Sequence, residues 1–348
     1  MYGRIAAAVR QFDKKVGWGW IGASLSAAII IAAALVLYHN LSDIDVGEVI
    51  DALRAIAPRD IAISALFVAA GYFTLTFYDL FALRTIGHKD IPYSVAALAA
   101  FTSYSIGHNV GASVFTGGAV RYRIYSACGL SAIEVTKICF IAGLTFWLGN
   151  ATVLGLGIAY APDAAAAIDR LPLWMNRAAA LLTLALLVIY VAWVWRTPRI
   201  IGRQNWEVAL PNGPLTLLQI AIGIIDLAFC AAAMYMLVPE DPHIGFITVA
   251  VIFVSATLLG FASHSPGGLG VFDAAMLVAL WQYDKEDLLA GLLLFRLLYY
   301  LTPFAISLAI LGTRELWLSV CARRALPAPD ASAAPPADVA RRKTYDTV

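Results

Sequence analysis

The sequence predicts an all-α, polytopic integral membrane helical bundle, organised as two inverted units that each carry a glycine-broken re-entrant hairpin. Composition is the first ground. Of 348 residues, 61% are hydrophobic and 14% charged, at a mean hydropathy of +0.78, whereas soluble domains are about half apolar and about a quarter charged. The second ground is a series of apolar windows long enough to cross hydrocarbon. The third is a break inside an apolar stretch in each half of the chain. One break is Gly107-His108-Asn109-Val110-Gly111, continued by Thr116-Gly117-Gly118 and Arg121-Tyr122-Arg123. The other is Ser263-His264-Ser265-Pro266-Gly267-Gly268-Leu269-Gly270, continued by Asp273. Helix breakers and ionisable groups are costly in hydrocarbon unless they line a cavity or are buried in protein. A pair of them in corresponding halves is the sequence mark of a transporter-type site near the bilayer midplane.

Windows of about twenty apolar residues predict spans near 19–38, 61–86, 131–160, 174–195, 214–238 and 286–312. The first comes after a basic amino end (1–17, with Arg4, Arg10, Lys14 and Lys15) and is too long for a signal-peptide core, so it reads as an uncleaved span. Residues 44–57 set Val46, Val49, Ile50, Leu53 and Ile56 against Asp45, Glu48, Asp51 and Arg54, the pattern of an interfacial helix. Regions 92–128 and 243–283 are each too long for one crossing and short for two with a loop. The tail 325–348 is rich in Ala and Pro and is expected to be disordered. The stretch beyond the last span is too short for a catalytic soluble domain.

Loop charge sets the expected orientation. Arg84, His88 and Lys89, then Arg196, Arg199 and Arg203, then Arg314, Arg323 and Arg324 mark inside faces. The acid-rich stretches Asp43–Asp51, Asp163–Asp169 and Glu240–Asp241 mark outside ones. Both termini are then cytoplasmic in an inner membrane. Region 92–128 begins and ends inside, and region 243–283 begins and ends outside, so both read as hairpins that enter from opposite faces and bring their tips together. The alternative is that both cross fully, giving ten ordinary spans. An internal echo favours the inverted units: Tyr78-Asp79-Leu80 and Ile225-Asp226-Leu227 are each followed, about thirteen residues after the acid, by Pro92 and Pro239.

The ionisable residues inside these stretches are the candidate site. Arg121 has the planar fork that suits phosphate, and the amides of Gly117 and Gly118 could approach an anion if a helix begins there; snorkelling to the inner interface is the other reading, and the one favoured for Arg123. Arg296 lies deep in the last span and needs a partner, for which Asp273 is the candidate. Asp79 and Asp226 could relay protons, bind a cationic headgroup or cap a neighbouring helix. Glu134 and Lys137 form an i,i+3 pair, read either as an interfacial ion pair or as part of the cavity lining. His108 and His264 fall at the tips, as ligands or as hydrogen-bonded core. The cysteines, Cys128, Cys139, Cys230 and Cys321, are scattered without a CxxC. No metal-spaced set, HExxH, Walker lysine or nucleophile elbow occurs, so no metal and no cofactor are expected. Nothing in the charge pattern suits nucleic acid.

Asn109-x-Gly111, Thr116-Gly117-Gly118-x-x-Arg121, Ser265-Pro266-Gly267-Gly268-Leu269-Gly270-Val271-Phe272-Asp273 and Arg296-x-x-Tyr299-x-x-x-Pro303 resemble the lysylphosphatidylglycerol synthase transmembrane family. This is the flippase-type membrane region of the multiple peptide resistance factor and its stand-alone relatives, and the resemblance covers roughly residues 15–320. It implies a polar membrane site of Asn109, Gly117, Gly118, Arg121, Pro266, Gly267, Gly268, Asp273 and Arg296, and a phospholipid substrate, an aminoacylated or modified phosphatidylglycerol, moved between leaflets. Two departures stand out: Asp273 replaces the family's usual glutamate, and the soluble aminoacyl-tRNA-dependent transferase is lacking, so the expectation is a lipid transporter and not an enzyme. Two other readings stay open. One is a non-transporting partner or scaffold of a lipid-modifying enzyme. The other is an integral-membrane headgroup enzyme. A homo-oligomer or an enzyme partner is compatible with all three.

Overall fold

A computed structural model describes residues 46–111, 113–196, 199–203 and 206–325; the expected basic amino end, the first span at 19–38 and the tail beyond Ala325 lie outside the described residues. Helix α1 (Val46–Ala55) turns Val49 inward. Helix α2 (Pro58–Thr85) starts on Pro58, where a missing N–H costs nothing. Helices α3 (Tyr93–Val110) and α4 (Ser113–Tyr125) pack on each other across Gly111, and a 3₁₀ turn comes next at Ser126–Cys128. Helix α5 (Ala132–Tyr160) opens on a capping box between Ser131 and Glu134. Then come α6 (Pro162–Asp169) and α7 (Leu173–Arg196). A short antiparallel hairpin of β1 (Ile200–Arg203) and β2 (Trp206–Ala209), with Ile200 opposite Ala209, occupies the arginine-bearing loop.

The second half repeats the helix and broken-hairpin order. Helix α8 (Gly213–Tyr235) leads to α9 (Phe246–Ser263), a 3₁₀ turn (Pro266–Gly268) and the short α10 (Val271–Ala279). Helix α11 (Lys285–Phe295) passes through a π-helical segment (Arg296–Leu301) into α12 (Thr302–Ala325). Among the described residues, six helical stretches are long and apolar enough to cross a membrane: Pro58–Thr85, Ala132–Tyr160, Leu173–Arg196, Gly213–Tyr235, Phe246–Ser263 and Lys285–Arg314. The two arms of the second hairpin are thus unequal. The 18 residues of α9 span about 27 Å and meet a crossing requirement, while the nine of α10 span only about 13 Å. The chain divides into two compact units after Ser307, and both broken hairpins belong to the first.

Helix α8 is the axis of that unit. Against α2 it runs antiparallel: the Ser64 hydroxyl donates to the Ala233 carbonyl at 2.8 Å, Gly71 faces Phe229 and Cys230, and the Tyr78 hydroxyl reaches Asp226. Against α5 it runs parallel: Gln219 Nε2 donates to Thr145 Oγ1 at 2.8 Å, and Gly149 meets Gly223 backbone to backbone. Small residues let helices approach this closely where apolar burial gives no net pull between them. The leading helices α2 and α8 of the two halves therefore point in opposite directions.

The α5–α8 contact yields a paired prediction. A methyl on Gly149 would lie 2.7 Å from Gly223 Cα, while one on Gly143, two turns earlier on α5, meets nothing within 4 Å. Gly149→Ala should destabilise by about 1–3 kcal/mol, the usual cost of overpacking. Gly143→Ala should be neutral or stabilising, by at most about 1 kcal/mol from helix propensity. Thermal unfolding in detergent reads both, and equal melting temperatures would show that the helices separate freely here.

Candidate functional site

Two arginine–carboxylate pairs lie at the two broken hairpins. Asp79 is carried by α2 into the bundle and is wholly buried, and Arg121, two turns into α4, is buried against it. Arg121 Nε donates to both carboxylate oxygens at 3.1 and 3.0 Å, and Nη2 donates to Oδ1 at 2.8 Å. Tyr125, one turn further along α4, donates its hydroxyl to Oδ2 at 2.8 Å. The guanidinium carbon sits 4.7 Å from the centre of the Tyr104 ring on α3, a cation–π contact. A charge this deep is tolerable only with such a set of partners.

Gly117 makes the packing possible in a different way from the one expected. Residues 117 and 118 lie in the second turn of α4, where amides serve the helix itself, so they are not offered to an anion. A Cβ on Gly117 would stand 3.2 Å from the Ser103 carbonyl and 3.4 Å from Arg121 Nη1. Its role is to let α4 and the arginine close on α3. Arg123 is exposed.

Asp273 and Arg296 form the second pair. Asp273 lies in the first turn of α10 and accepts the Gly270 amide at 3.1 Å, Arg296 Nε at 2.9 Å and Arg296 Nη2 at 2.6 Å. Arg296 Nη1 donates to the Gly267 carbonyl at 3.0 Å, so one side chain ties the acid to the turn before it. That turn needs glycine: Gly267, Gly268 and Gly270 have φ of 61°, 62° and 80°, a region costly for residues with a Cβ.

The tips of the two hairpins touch. A Cβ on Gly111, itself at φ 80°, would lie 3.4 Å from the His264 carbonyl and from Pro266 Cα. Asn109 donates through Nδ2 to Ser105 on its own helix at 2.8 Å and to the Tyr300 carbonyl at 3.0 Å. That carbonyl belongs to the π-helical segment. Pro303 cannot donate back to Tyr299, and the Tyr299 carbonyl is instead held by the Tyr72 hydroxyl at 3.0 Å. π-Helical turns are frequent at functional positions, and here Arg296 opens one.

The remaining candidates separate. His108 is enclosed by the rings of Tyr104, Phe261 and Tyr299, its Nδ1 buried with no partner among the described residues. His264 is exposed, and its Nδ1 lies 3.0 Å from the Ala262 carbonyl. Glu134 does not serve Lys137: its carboxylate accepts from the Ser131 amide and hydroxyl and meets His88 Nε2 at 2.8 Å. The N-terminal capping geometry outcompetes the i,i+3 pair because it uses two donors already in place. Asp226 accepts from the Tyr78 hydroxyl at 3.1 Å, and its Oδ1 has no partner among the described residues. Among the described residues no group of three or more His, Cys, Asp or Glu could hold a metal ion. Sequence reasoning missed the Asp79–Arg121 pairing and the tyrosines around it. Tyr125 at i+4 from Arg121 was the available signal.

Fold and site define a polytopic helical membrane protein whose two broken hairpins meet at their tips and are each fastened by an arginine–carboxylate pair, the first buried and the second partly so. Residues 24–307 match the lysylphosphatidylglycerol synthase TM region, and the chain belongs to that family. It is 26% identical over 295 residues to the Uncharacterized protein slr0712 of Synechocystis sp., covering 84% of this chain and 91% of that one. It is 27% identical to the Inner membrane protein YbhN of Escherichia coli, covering 82% and 89%. It is also 27% identical to the Phosphatidylglycerol lysyltransferase of Staphylococcus haemolyticus, covering 83% of this chain but only 33% of that protein.

Proposed function

We propose that the chain moves a polar phospholipid of the phosphatidylglycerol class, aminoacylated or otherwise modified forms included, between the leaflets of a bacterial inner membrane, without enzymatic chemistry. The observation that carries this reading is the position of the two guanidiniums: each holds a carboxylate through its planar fork beside the break of one hairpin. The same fork fits a phosphodiester. A lipid phosphate that takes Arg121 from Asp79, or Arg296 from Asp273, exchanges one anion for another and loosens a fastening of the hairpin. The acyl chains stay in lipid while the headgroup passes between the inverted hairpins. The lysyltransferase relative supports the lipid class through its name, and the YbhN relative supports the inner membrane.

Proteoliposomes carrying headgroup-intact fluorescent lipids test the reading by leaflet-selective quenching. Phosphatidylglycerol and its lysyl ester should exchange faster than in protein-free vesicles, and phosphatidylcholine should not. Exchange no faster than in protein-free vesicles would overturn the reading. Full exchange by a well-folded Arg296→Ala variant would leave translocation standing and remove Arg296 from the phosphate site. Orientation has its own test. In a cysteine-free background, single cysteines at 129 and 284 should label from the cytoplasmic and the outer face respectively; labelling from one face only would end the inverted-hairpin reading.

A further inference from the structure

The two arginines at the breaks are each matched by a carboxylate, Arg121 by Asp79 and Arg296 by Asp273. A third carboxylate, Asp226 on α8, is also buried and has no cation partner among the described residues. Its Oδ2 accepts from Tyr78, and its Oδ1 is closed off without a donor. Gly71 and Cys230 wall it in: a Cβ on Gly71 would stand 3.9 Å from Oδ1 and 3.6 Å from the Cys230 sulfur. The titratable groups that interact with it are Tyr72 and Tyr78 from α2, Tyr104 from α3, Cys230 from α8 itself and Tyr299 from the π-helical segment. All are neutral hydroxyls or a thiol. Helix α9 carries no ionisable side chain. On α5 the ionisable groups Glu134, Lys137 and Cys139 lie toward the start and Tyr160 at the end, all well away from Gly149, which packs opposite Gly223 one turn from Asp226. On α7 they are Arg177, Tyr190 and Arg196, and on α11 Lys285, Glu286 and Asp287. None of these is a hydrogen-bond or ion-pair partner of Asp226. An isolated carboxylate so placed is neutralised rather than left charged.

We propose that Asp226 is a proton-binding site, and that its proton is taken up and released in each transport cycle. The coupling part rests on the translocation reading. The proton sits on Oδ1, the oxygen without a donor, and Oδ2 remains the carbonyl that accepts from Tyr78. With the proton bound, three carboxyl groups and two guanidiniums sum to zero. Without it the interior carries one negative charge and repels a phosphodiester anion. For phosphatidylglycerol, a monoanion, one proton and one lipid therefore enter together with no net charge moved, and both leave on the other side. Oδ1 is enclosed, with no hydrogen-bond partner among the described residues, which favours a proton over a headgroup as its occupant.

Two measurements decide it. Difference infrared spectroscopy of the protein in lipid should show the carbonyl stretch of a protonated carboxylic acid in an apolar setting at neutral pH. The band should vanish in Asp226→Asn, persist in Asp273→Asn and shift in Tyr78→Phe, which keeps the acid but removes its donor. Absence of any Asp226-dependent band from acid to mildly alkaline pH overturns the site, whatever the transport assay gives. In proteoliposomes, acidifying the lipid-loading side should speed wild-type exchange by up to about tenfold per pH unit, the limit for one proton, and Asp226→Asn should respond flatly. Exchange by wild type that ignores the pH gradient overturns the coupling. No exchange under any condition counts against the translocation reading alone, because the infrared band still judges the site.

Discussion

Arg121→Ala should unfold or severely weaken the bundle, by about 3–5 kcal/mol, the cost of leaving a buried charge without its partner. Asp79 is wholly buried and would keep only the Tyr125 hydroxyl, having lost three guanidinium contacts. Arg121→Lys should recover part of this, since an ammonium restores charge but not the fork. The informative variant combines Asp79→Asn with Arg121→Met. It removes both charges together, which is often near neutral for a buried pair, and it leaves an oxygen to accept from Tyr125. That double variant should melt close to wild type yet fail to exchange lipid. If it exchanges lipid normally, Arg121 is structural and the phosphate belongs elsewhere.

Arg296 is expected to respond differently, because it holds a turn as well as a charge. Arg296→Ala and Asp273→Ala should each lower stability by up to about 3–5 kcal/mol, toward the lower end because both side chains keep some exposure. The exchanged pair, Asp273→Arg with Arg296→Asp, restores neutrality. It cannot restore the turn: arginine at 273 cannot accept the Gly270 amide, and aspartate at 296 cannot donate to the Gly267 carbonyl. Thermal melts of the two single variants and the exchanged pair, run beside the leaflet assay, should therefore show partial recovery of folding and little recovery of transport. Equal recovery of both would mean that charge balance alone is what the site requires.

Much of the bundle was readable in the chain, and the reason differs by feature. The long helices follow from apolar length, a local property, so the expected 131–160 and 174–195 differ from Ala132–Tyr160 and Leu173–Arg196 by a residue at most. Asp273 and Arg296 could be paired on paper because each is costly alone and both flank the same break. Asp79 and Arg121 could not, because three acids and two bases allow several matchings and only tertiary packing selects one. The Glu134–Lys137 pair failed because sequence spacing says nothing of Ser131 and His88, which reach Glu134 first. The π-helical turn had a signal in Pro303, whose missing N–H leaves a carbonyl one turn back in want of a donor, but nothing local says that Tyr72 supplies it.

That borrowed hydrogen bonding also fixes an order of assembly. The Tyr299 and Tyr300 carbonyls are satisfied by side chains 227 and 191 residues earlier in the chain. A segment that reaches hydrocarbon with a carbonyl deprived of its usual donor by Pro303 is poorly suited to it, so Lys285–Leu301 becomes a more comfortable membrane helix once α2 and α3 are waiting. During synthesis the amino-terminal half is thus a template for the last helix. The two halves, expressed as separate fragments, should differ accordingly: the earlier one can insert alone, and the later one needs its partner present.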